Sequence, residues 1–306
     1  MPPPVVNKVV RSLRNVSQVE NVPHLRRFFK TGKGEYGEGD QFLGTRMPKI
    51  RAVLKETKQE VQLKDLPNLF ACKYHEVRMY AGLWLVQAYQ LSTRNLKKAK
   101  KSNSPTIEED RCREEIYQTY IHHIPRLNGW DLVDVTAPHV TGNHLLATRS
   151  ENVARKQILK WCSNKKNVWE RRVGMLSTFS FIRNNQLDIT MDAAQLLLDN
   201  EESHDLMHKA TGWMLREVGK RDRIVLEAFL DLHAATMPRT MLRYALEKFD
   251  EGTKQKYMNA HKINETGRSG YGTAKYTRKR TSAASKKSQN LQNTKNTQNG
   301  KKRRKR

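Results

Sequence analysis

Residues 168–182 read Val168-Trp-Glu-Arg-Arg-Val-Gly-Met-Leu-Ser-Thr-Phe-Ser-Phe-Ile182, a segment with apolar residues at helical spacing. Its large apolar side chains recur every three or four residues, so they share one arc of an α-helix. They are Trp169, Val173, Leu176 and Phe179. Asn167, with Glu170 three residues later, has the spacing of a capping box and predicts that the helix begins here. Arg172 falls inside the apolar arc, whereas Arg171 falls outside it.

Working outward, the same periodicity recurs along the chain and predicts an all-α fold. A basic residue followed within two or three positions by Ala or Gly and then a large apolar residue occurs four times, at Arg78/Ala81, Arg172/Gly174, Lys209/Gly212 and Arg243/Ala245. The last three basic residues are 37 and 34 residues apart, a period typical of paired-helix repeats. We therefore expect a HEAT-like helical-repeat solenoid with a concave basic face. A compact helical bundle is the alternative.

Charge indicates a polyanionic partner. The 306 residues carry a formal net charge of +26. Thr266–Arg306 contains many Lys and Arg and no Asp or Glu, and the rest of the chain is also basic. We predict a helical domain over residues 1–250 and a basic, low-complexity, disordered tail over residues 251–306. The basic runs at residues 275–280 and 301–306 resemble nuclear localisation signals or a DNA-tethering tail. We therefore expect the nucleus in a eukaryote and otherwise the cytoplasm or nucleoid. A merely solubilising tail is the alternative.

Several protein classes are disfavoured. The three cysteines, Cys72, Cys112 and Cys162, are too widely spaced for a metal clamp or a disulfide framework and suit a reducing compartment. We find neither a signal peptide nor an apolar run of membrane-spanning length. Nothing in the sequence demands more than a monomer, and we expect no cofactor.

Two further motifs are weak. Gly32-Lys-Gly-Glu-Tyr-Gly37 matches a dinucleotide-binding pattern, but it does not follow a strand, and two glutamates crowd the position of a pyrophosphate. His204 and His208 have the i, i+4 spacing of metal ligands, but no third ligand is evident. We expect exposed or helix-capping histidines and no metal site.

The main candidate site is Trp130-Asp-Leu-Val-Asp134. Residues four apart share a helix face, so Trp130 and Asp134 would lie side by side while Leu132 and Val133 point elsewhere. In a cationic groove this is one negative charge beside an indole. The plainer alternatives are that Trp130 belongs to the core and that Asp134 pairs with Arg172.

Two further helices carry charges at unusual positions. Arg172, inside an apolar arc, requires a carboxylate, a phosphate or a wet cavity. Trp213 is flanked at helical spacing by Lys209, Arg216 and Glu217, which favours a groove-facing indole. Trp213 covering a helix crossing is the alternative.

Together these segments resemble the DNA alkylation repair glycosylases of the AlkD type, which consist of tandem helical repeats. The resemblance covers roughly residues 25–249. The motifs that carry it are Phe28-Phe29-Lys-Thr-Gly, Phe42-Leu-Gly-Thr-Arg-Met-Pro-Lys-Ile-Arg51, Trp130-Asp-Leu-Val-Asp134, Trp169-Glu-Arg-Arg172, Lys209-Ala-Thr-Gly-Trp-Met-Leu-Arg-Glu217 and Met237-Pro-Arg-Thr-Met-Leu-Arg243.

The resemblance implies excision of cationic N3- and N7-alkylated purines, such as 3-methyladenine and 7-methylguanine, from duplex DNA in base excision repair. It implies that Asp134, Trp130 and Trp213 are catalytic and that Arg172 contacts the DNA backbone. Arg46 and Arg51 lie where members of the family contact the strand. Lys209 and Arg216, beside Trp213, complete the predicted DNA-binding set. Since no lysine stands out as an imine-forming nucleophile, we expect a monofunctional hydrolase.

Two other functions stay open. A non-catalytic DNA-binding repeat protein would keep the basic face but would need no aspartate beside a tryptophan. A protein-interaction scaffold would show no salt-sensitive affinity for DNA.

Overall fold

The structure, a computed structural model, describes residues 3–260 and is helical throughout that range apart from loops and an isolated β-bridge between Gln41 and Tyr74. Short 3₁₀ turns join several helices, and a π-helical turn, Pro138–Gly142, follows α7. The helices are α1 Pro4–Asn15, α2 Val22–Phe28, α3 Met47–Thr57, α4 Leu66–Phe70, α5 His75–Lys101, α6 Ile107–His122, α7 Trp130–Thr136, α8 Asn143–Thr148, α9 Glu151–Cys162, α10 Val168–Arg183, α11 Asp188–Asp199, α12 Asp205–Arg221, α13 Arg223–His233, α14 Arg239–Ala245 and α15 Glu251–Met258.

The predicted all-α, helical-repeat fold class is confirmed. The helices form two compact units, one over residues 1–180 and one that starts at Phe181, and the division falls inside α10. The first unit contains the candidate residues Trp130, Asp134 and Arg172, and the second contains Trp213. The predicted concave face stays a prediction.

The two glycines of the repeated pattern lie at close helix crossings. In the first unit, a Cβ on Gly174 of α10 would be 3.0 Å from the Ile158 carbonyl oxygen of α9. In the second unit, a Cβ on Gly212 of α12 would be 2.4 Å from the Met241 carbonyl oxygen of α14. The repeat therefore marks positions where two helix backbones approach too closely for a larger side chain.

The start of α10 agrees with the sequence only in part. The Asn167 side chain accepts hydrogen bonds from the backbone N–H groups of Trp169 and Glu170, as a helix cap does. Glu170 does not complete the capping box, because its carboxylate accepts a hydrogen bond from Asn164. Arg171, predicted outside the apolar arc, is also buried. Its guanidinium donates to carbonyl groups in the loop after α9, so backbone acceptors replace the solvent that we expected.

Two segments predicted to be irregular are helical. The charged stretch Lys97–Ser104 predicts a connecting loop, but its residues 97–101 form the last turn of α5. Residues 251–258, placed in the disordered tail, form α15, which Asp250 caps and Tyr257 ties to Asp231. The basic runs at residues 275–280 and 301–306 lie outside the described residues.

A buried carboxylate fixes the loop before α3 against α5. Glu76, in the first turn of α5, accepts hydrogen bonds from the backbone N–H groups of Leu43, Gly44 and Thr45. Gly44 has φ +90°, and a Cβ there would lie 2.2 Å from the Gln18 carbonyl oxygen. Only glycine therefore fits both the backbone conformation and the space at this position.

We expect Gly44→Ala to lower the free energy of unfolding by more than about 2 kcal/mol, because it adds a backbone clash to the cost of left-handed φ. Urea unfolding measures the change. Gly39→Ala is the matched control, since Gly39 has φ +85° but open space around its Cβ position. Equal losses in the two variants would show that conformation alone, and not the contact with Gln18, accounts for Gly44.

Candidate active site

α7 presents the predicted pair of side chains, Trp130 and Asp134, on one face. Leu132 and Val133 are fully buried, whereas Trp130 and Asp134 are partly exposed. α7 packs closely on α5, where a Cβ on Gly82 would be 2.9 Å from Thr136 Cγ2. The predicted division of α7 into a core face and a face bearing Trp130 and Asp134 is therefore confirmed by burial.

Asp134 forms a bidentate ion pair with Arg172 of α10. Arg172 Nε donates to Asp134 Oδ1 at 2.8 Å, and Nη2 donates to Oδ2 at 2.9 Å. The Arg172 side chain is 5 % exposed and that of Asp134 is 16 % exposed. The structure thus shows the pairing that the sequence left open for Asp134. Contact of Arg172 with a DNA backbone stays a prediction.

Burial and charge act in opposite directions on Asp134. Burial raises the pKa of Asp134 above its ordinary value, and the charge and hydrogen bonds of Arg172 limit that rise. The negative charge of Asp131 adds to the rise. The ion pair therefore offsets part of the desolvation of a largely buried carboxylate and fixes the orientation of both of its oxygens.

Trp130 lies at one side of a cluster of rings, which we call the aromatic layer: Phe28, Phe29, Phe42, His75 and Trp130. Trp130 packs against Phe28 and Phe29, each with ring centroids 5.6 Å away. Phe29 in turn stacks on Phe42 and contacts the His75 ring. Phe28 is 52 % exposed, so an apolar ring beside Trp130 faces solvent. Trp130 is partly exposed and also packs on the buried Phe29, so its catalytic role stays a prediction.

Within the aromatic layer, His75 lies between two carboxylates. Its Nδ1 is 3.0 Å from Asp40 Oδ2 and its Nε2 is 2.9 Å from Asp131 Oδ2. Burial alone would lower the pKa of His75, but the charge of Asp131 and the hydrogen bonds to Asp131 and Asp40 outweigh it and raise the pKa to about 9. Arg78, which also binds Asp40, opposes the rise. At neutral pH His75 is an imidazolium that donates from both nitrogens.

Sequence reasoning missed this histidine and both of its carboxylate partners. Asp40, His75 and Asp131 lie in three separate segments and follow no spacing that marks a site. The one local signal that could have indicated this group was Asp131, a carboxylate in the first turn of α7 directly after Trp130.

The predicted strand-contacting arginines lie on α3 in the first unit. Arg46 caps the start of α3, is exposed and donates to Asn21 Oδ1 at 3.0 Å. Arg51 is exposed, and no ion pair forms to it among the described residues. Both guanidinium groups are accessible to a solvent-borne anion, as a phosphate contact requires.

In the second unit, the predicted residues lie on α12. Trp213 is partly exposed and its Nε1 donates to Glu217 at 3.2 Å. Arg216 pairs with Glu217 and Glu247, and Lys209 pairs with Asp205. The two cations are therefore partly neutralised by carboxylates within this unit.

The two weak motifs have structural explanations. In the glycine-rich loop, Glu35 and Glu38 accept hydrogen bonds from the Gly32 and Gly34 N–H groups, which a phosphate would need. His204 caps α12 by accepting from the Leu206 N–H, as we expected of a capping histidine. Across residues 3–260, no three His, Cys, Asp or Glu side chains cluster as metal ligands. In the same range, no helix is both long and apolar enough to cross a bilayer.

The protonated His75 predicts a pH dependence of stability. Because its pKa is raised from 6.5 to about 9 on folding, its stabilising contribution is complete below pH 6.5 and is lost as pH rises through about 9. We expect the free energy of unfolding, measured in urea, to fall by a few kcal/mol across this range. In His75→Gln the fall should be smaller, and an identical pH dependence in the two proteins would assign it to other groups.

Comparisons with known proteins agree with the resemblance. Residues 9–249 match the family described as DNA alkylation repair enzyme. Among solved structures, the chain is similar to a predicted DNA alkylation repair enzyme from Enterococcus faecalis, with a TM-score of 0.55 and 16% sequence identity over 77% of this chain and 97% of that one. At that identity the likeness shows a common fold. No curated protein matches the chain. Because the family match spans most of its helices, the chain belongs to the DNA alkylation repair enzyme family.

Proposed function

We propose that the protein is a DNA glycosylase that hydrolyses the N-glycosidic bond of cationic N3- and N7-alkylated purines in duplex DNA. Family membership gives a role in DNA alkylation repair. The observation that supports the glycosylase activity is the partly exposed Asp134 carboxylate, which lies on the same helix face as Trp130 and is oriented by a bidentate ion pair with Arg172.

The reaction suits one fixed carboxylate. An alkylated purine is a cationic leaving group and departs neutral, so no strong acid is needed to protonate it. As the bond between C1′ and the base nitrogen breaks, positive charge develops on the deoxyribose. Asp134 stabilises that charge and orients the water whose oxygen bonds to C1′, while the water proton passes to solvent. The products are the free base and an abasic site.

Trp130 supplies the second interaction. The face of an indole attracts a cation within about 6 Å by about 0.5–2 kcal/mol. Phe28 and Phe29 pack against this ring, each with centroids 5.6 Å away, and so restrain it before DNA binds. The aromatic layer thus offers both the alkylated base and the oxocarbenium-like sugar a preorganised surface that favours positive charge.

Arg172 has a cost as well as a benefit for this chemistry. Its positive charge weakens the field of Asp134 at a developing cation, yet without it a buried carboxylate would be protonated more readily. We propose that orientation and ionisation outweigh the loss of field, since each Asp134 oxygen accepts one bond from Arg172 and retains another lone-pair direction. Arg172 is then a positioning residue for Asp134.

The bidentate ion pair is also compatible with a second candidate function, non-catalytic DNA binding. A carboxylate neutralised by arginine is a common structural feature, so a non-catalytic DNA-binding protein of this family would be compatible with it. From the resemblance we retain Trp213 as a third catalytic candidate and Lys209, Arg216, Arg46 and Arg51 as DNA-binding candidates.

Asp134→Asn decides between the two functions. We expect single-turnover release of 7-methylguanine from a methylated duplex oligonucleotide to fall by about a hundredfold or more, the scale of losing one preorganised electrostatic stabiliser. Release is measured by chromatography of the freed base.

Asp110→Asn, an exposed acidic residue on α6, is the matched control and should leave the rate unchanged. Borohydride should trap no protein–DNA adduct, in keeping with a monofunctional hydrolase. Equal release by wild type and Asp134→Asn would remove Asp134 from the mechanism, and no release by wild type would favour the non-catalytic function.

Arg172→Ala tests the positioning role. Without the guanidinium, the pKa of Asp134 rises further, so the acid limb of the pH–rate profile should move to higher pH. In Arg172→Lys the acid limb should lie between those of wild type and Arg172→Ala, because lysine keeps the positive charge. An unmoved acid limb would contradict the role, while a smaller salt dependence of DNA affinity in Arg172→Ala would identify the phosphate contact that the resemblance implies.

Arg51→Ala tests the DNA-binding assignment on α3. We expect the slope of log affinity against log salt to decrease in magnitude by about one, the effect of one lost phosphate contact. The measurement is fluorescence anisotropy of a labelled duplex at several salt concentrations. Arg111→Ala on α6, whose guanidinium pairs with Glu108, should keep the wild-type slope. A slope unchanged in Arg51→Ala would exclude this arginine from the interface.

A further inference from the structure

The buried group formed by Asp40, His75 and Asp131 lies directly under the candidate site and takes no part in the chemistry proposed above. The His75 side chain is 4 % exposed and that of Asp40 is 3 % exposed. Asp40 also accepts from Arg78 and from Asn128, the latter at 3.0 Å. His75 therefore joins three parts of the first unit: the loop before α3, the start of α5 and the start of α7.

His75 is connected to Trp130 indirectly, through Asp131 and through Phe29. Its Nε2 bonds the carboxylate of Asp131, the residue after Trp130. Its ring packs on Phe29 with centroids 4.8 Å apart, and Phe29 packs on Trp130. Gly129, which caps α7, permits this approach, since a Cβ there would be 2.8 Å from His75 Cε1.

α7 needs such an anchor. It is the first segment of a helical stretch that continues through the π-helical turn Pro138–Gly142 into α8, so its free end is the N-terminus at Trp130. No side chain caps its N-terminus, because Gly129 occupies the cap position. Asp131 in its first turn carries the negative charge that a helix N-terminus favours, and the imidazolium of His75 holds that charge in place.

We propose that His75, as an imidazolium, is a positioning residue that sets the orientation of Trp130 at the start of α7 for the excision reaction. The role requires two N–H groups, because both ring nitrogens face carboxylate oxygens. A neutral imidazole has one N–H and leaves one carboxylate without its donor. The groups that face His75 are Asp40 from the loop before α3, Asp131 from α7 and Arg78 from α5, and the first two favour the protonated ring.

The inference rests on the proposed glycosylase function for its kinetic consequence but not for its structural one. The full chain labelled with 5-fluorotryptophan carries five fluorine reporters, and Trp130→Phe assigns the signal of Trp130. In the free wild-type protein we expect this ¹⁹F signal to titrate with a midpoint near pH 9, as His75 loses its proton. The signals of Trp84 and Trp161, which lie outside the aromatic layer, should not follow it.

In His75→Gln the Trp130 signal should be displaced and should no longer titrate near pH 9. Single-turnover release of 7-methylguanine at neutral pH should fall about tenfold or more, while the Kd for the duplex stays within about twofold, because misplacement affects the reacting geometry more than binding. His123→Gln, a histidine outside the aromatic layer, should match wild type in both measurements. Asp131→Asn keeps an acceptor for Nε2 but removes the negative charge that raises the pKa of His75, so it should move the midpoint of the Trp130 titration to lower pH.

The outcomes separate the two proposals. A Trp130 signal that does not titrate in wild type, or that titrates equally in His75→Gln, overturns the positioning role whatever the activity. A displaced signal with an unchanged excision rate overturns the role of that position in the reaction. If wild type releases no base while the Trp130 signal titrates as expected, the glycosylase proposal fails and the anchoring of Trp130 by His75 stands. If His75→Gln does not fold, the ¹⁹F titrations of wild type and Asp131→Asn test the positioning role instead.

Discussion

The ion pair between Asp134 and Arg172 explains why two charged side chains are tolerated where the helices pack. It joins α7 to α10 across 38 residues of sequence by two hydrogen bonds of 2.8 and 2.9 Å. Removal of one partner from a buried pair leaves an uncompensated charge and costs about 3–5 kcal/mol, whereas the intact pair contributes little net stability. Its main effect is therefore on geometry and ionisation. Arg172 gains the acceptor that its place in an apolar arc demands, and Asp134 keeps its charge.

A second charged contact holds the same short helix. At the first turn of α7, Asp131 binds the His75 imidazolium, and one turn later Asp134 binds Arg172. These two contacts and the buried Leu132 and Val133, together with the helical continuation into α8, set the position of α7. The orientation of the face that carries Trp130 and Asp134 thus depends on tertiary contacts with His75 and Arg172.

The sequence predicts those parts of this arrangement that depend on local spacing. Helical periodicity gave the fold class, and the i, i+4 spacing gave the common face of Trp130 and Asp134. The position of Arg172 in an apolar arc showed that it needed a partner, although not which one. Arg171 and His75 could not be interpreted in this way, since the acceptors of Arg171 are backbone carbonyls of a loop and those of His75 lie 35 and 56 residues away. Tertiary contacts of this kind leave no periodic signal.

The partial burial of Asp134 bears directly on which function the site suits. An exposed carboxylate would need no arginine to stay ionised. Water would, however, reduce its interaction energy with a positive charge 4 Å away to about 1 kcal/mol. A sealed carboxylate would act at low dielectric but could not approach a sugar. At 16 % exposure, Asp134 lies between these limits, and Arg172 offsets the desolvation that burial imposes. A structural ion pair gains nothing from an accessible carboxylate edge beside a partly exposed indole, whereas stabilisation of a cationic sugar requires both.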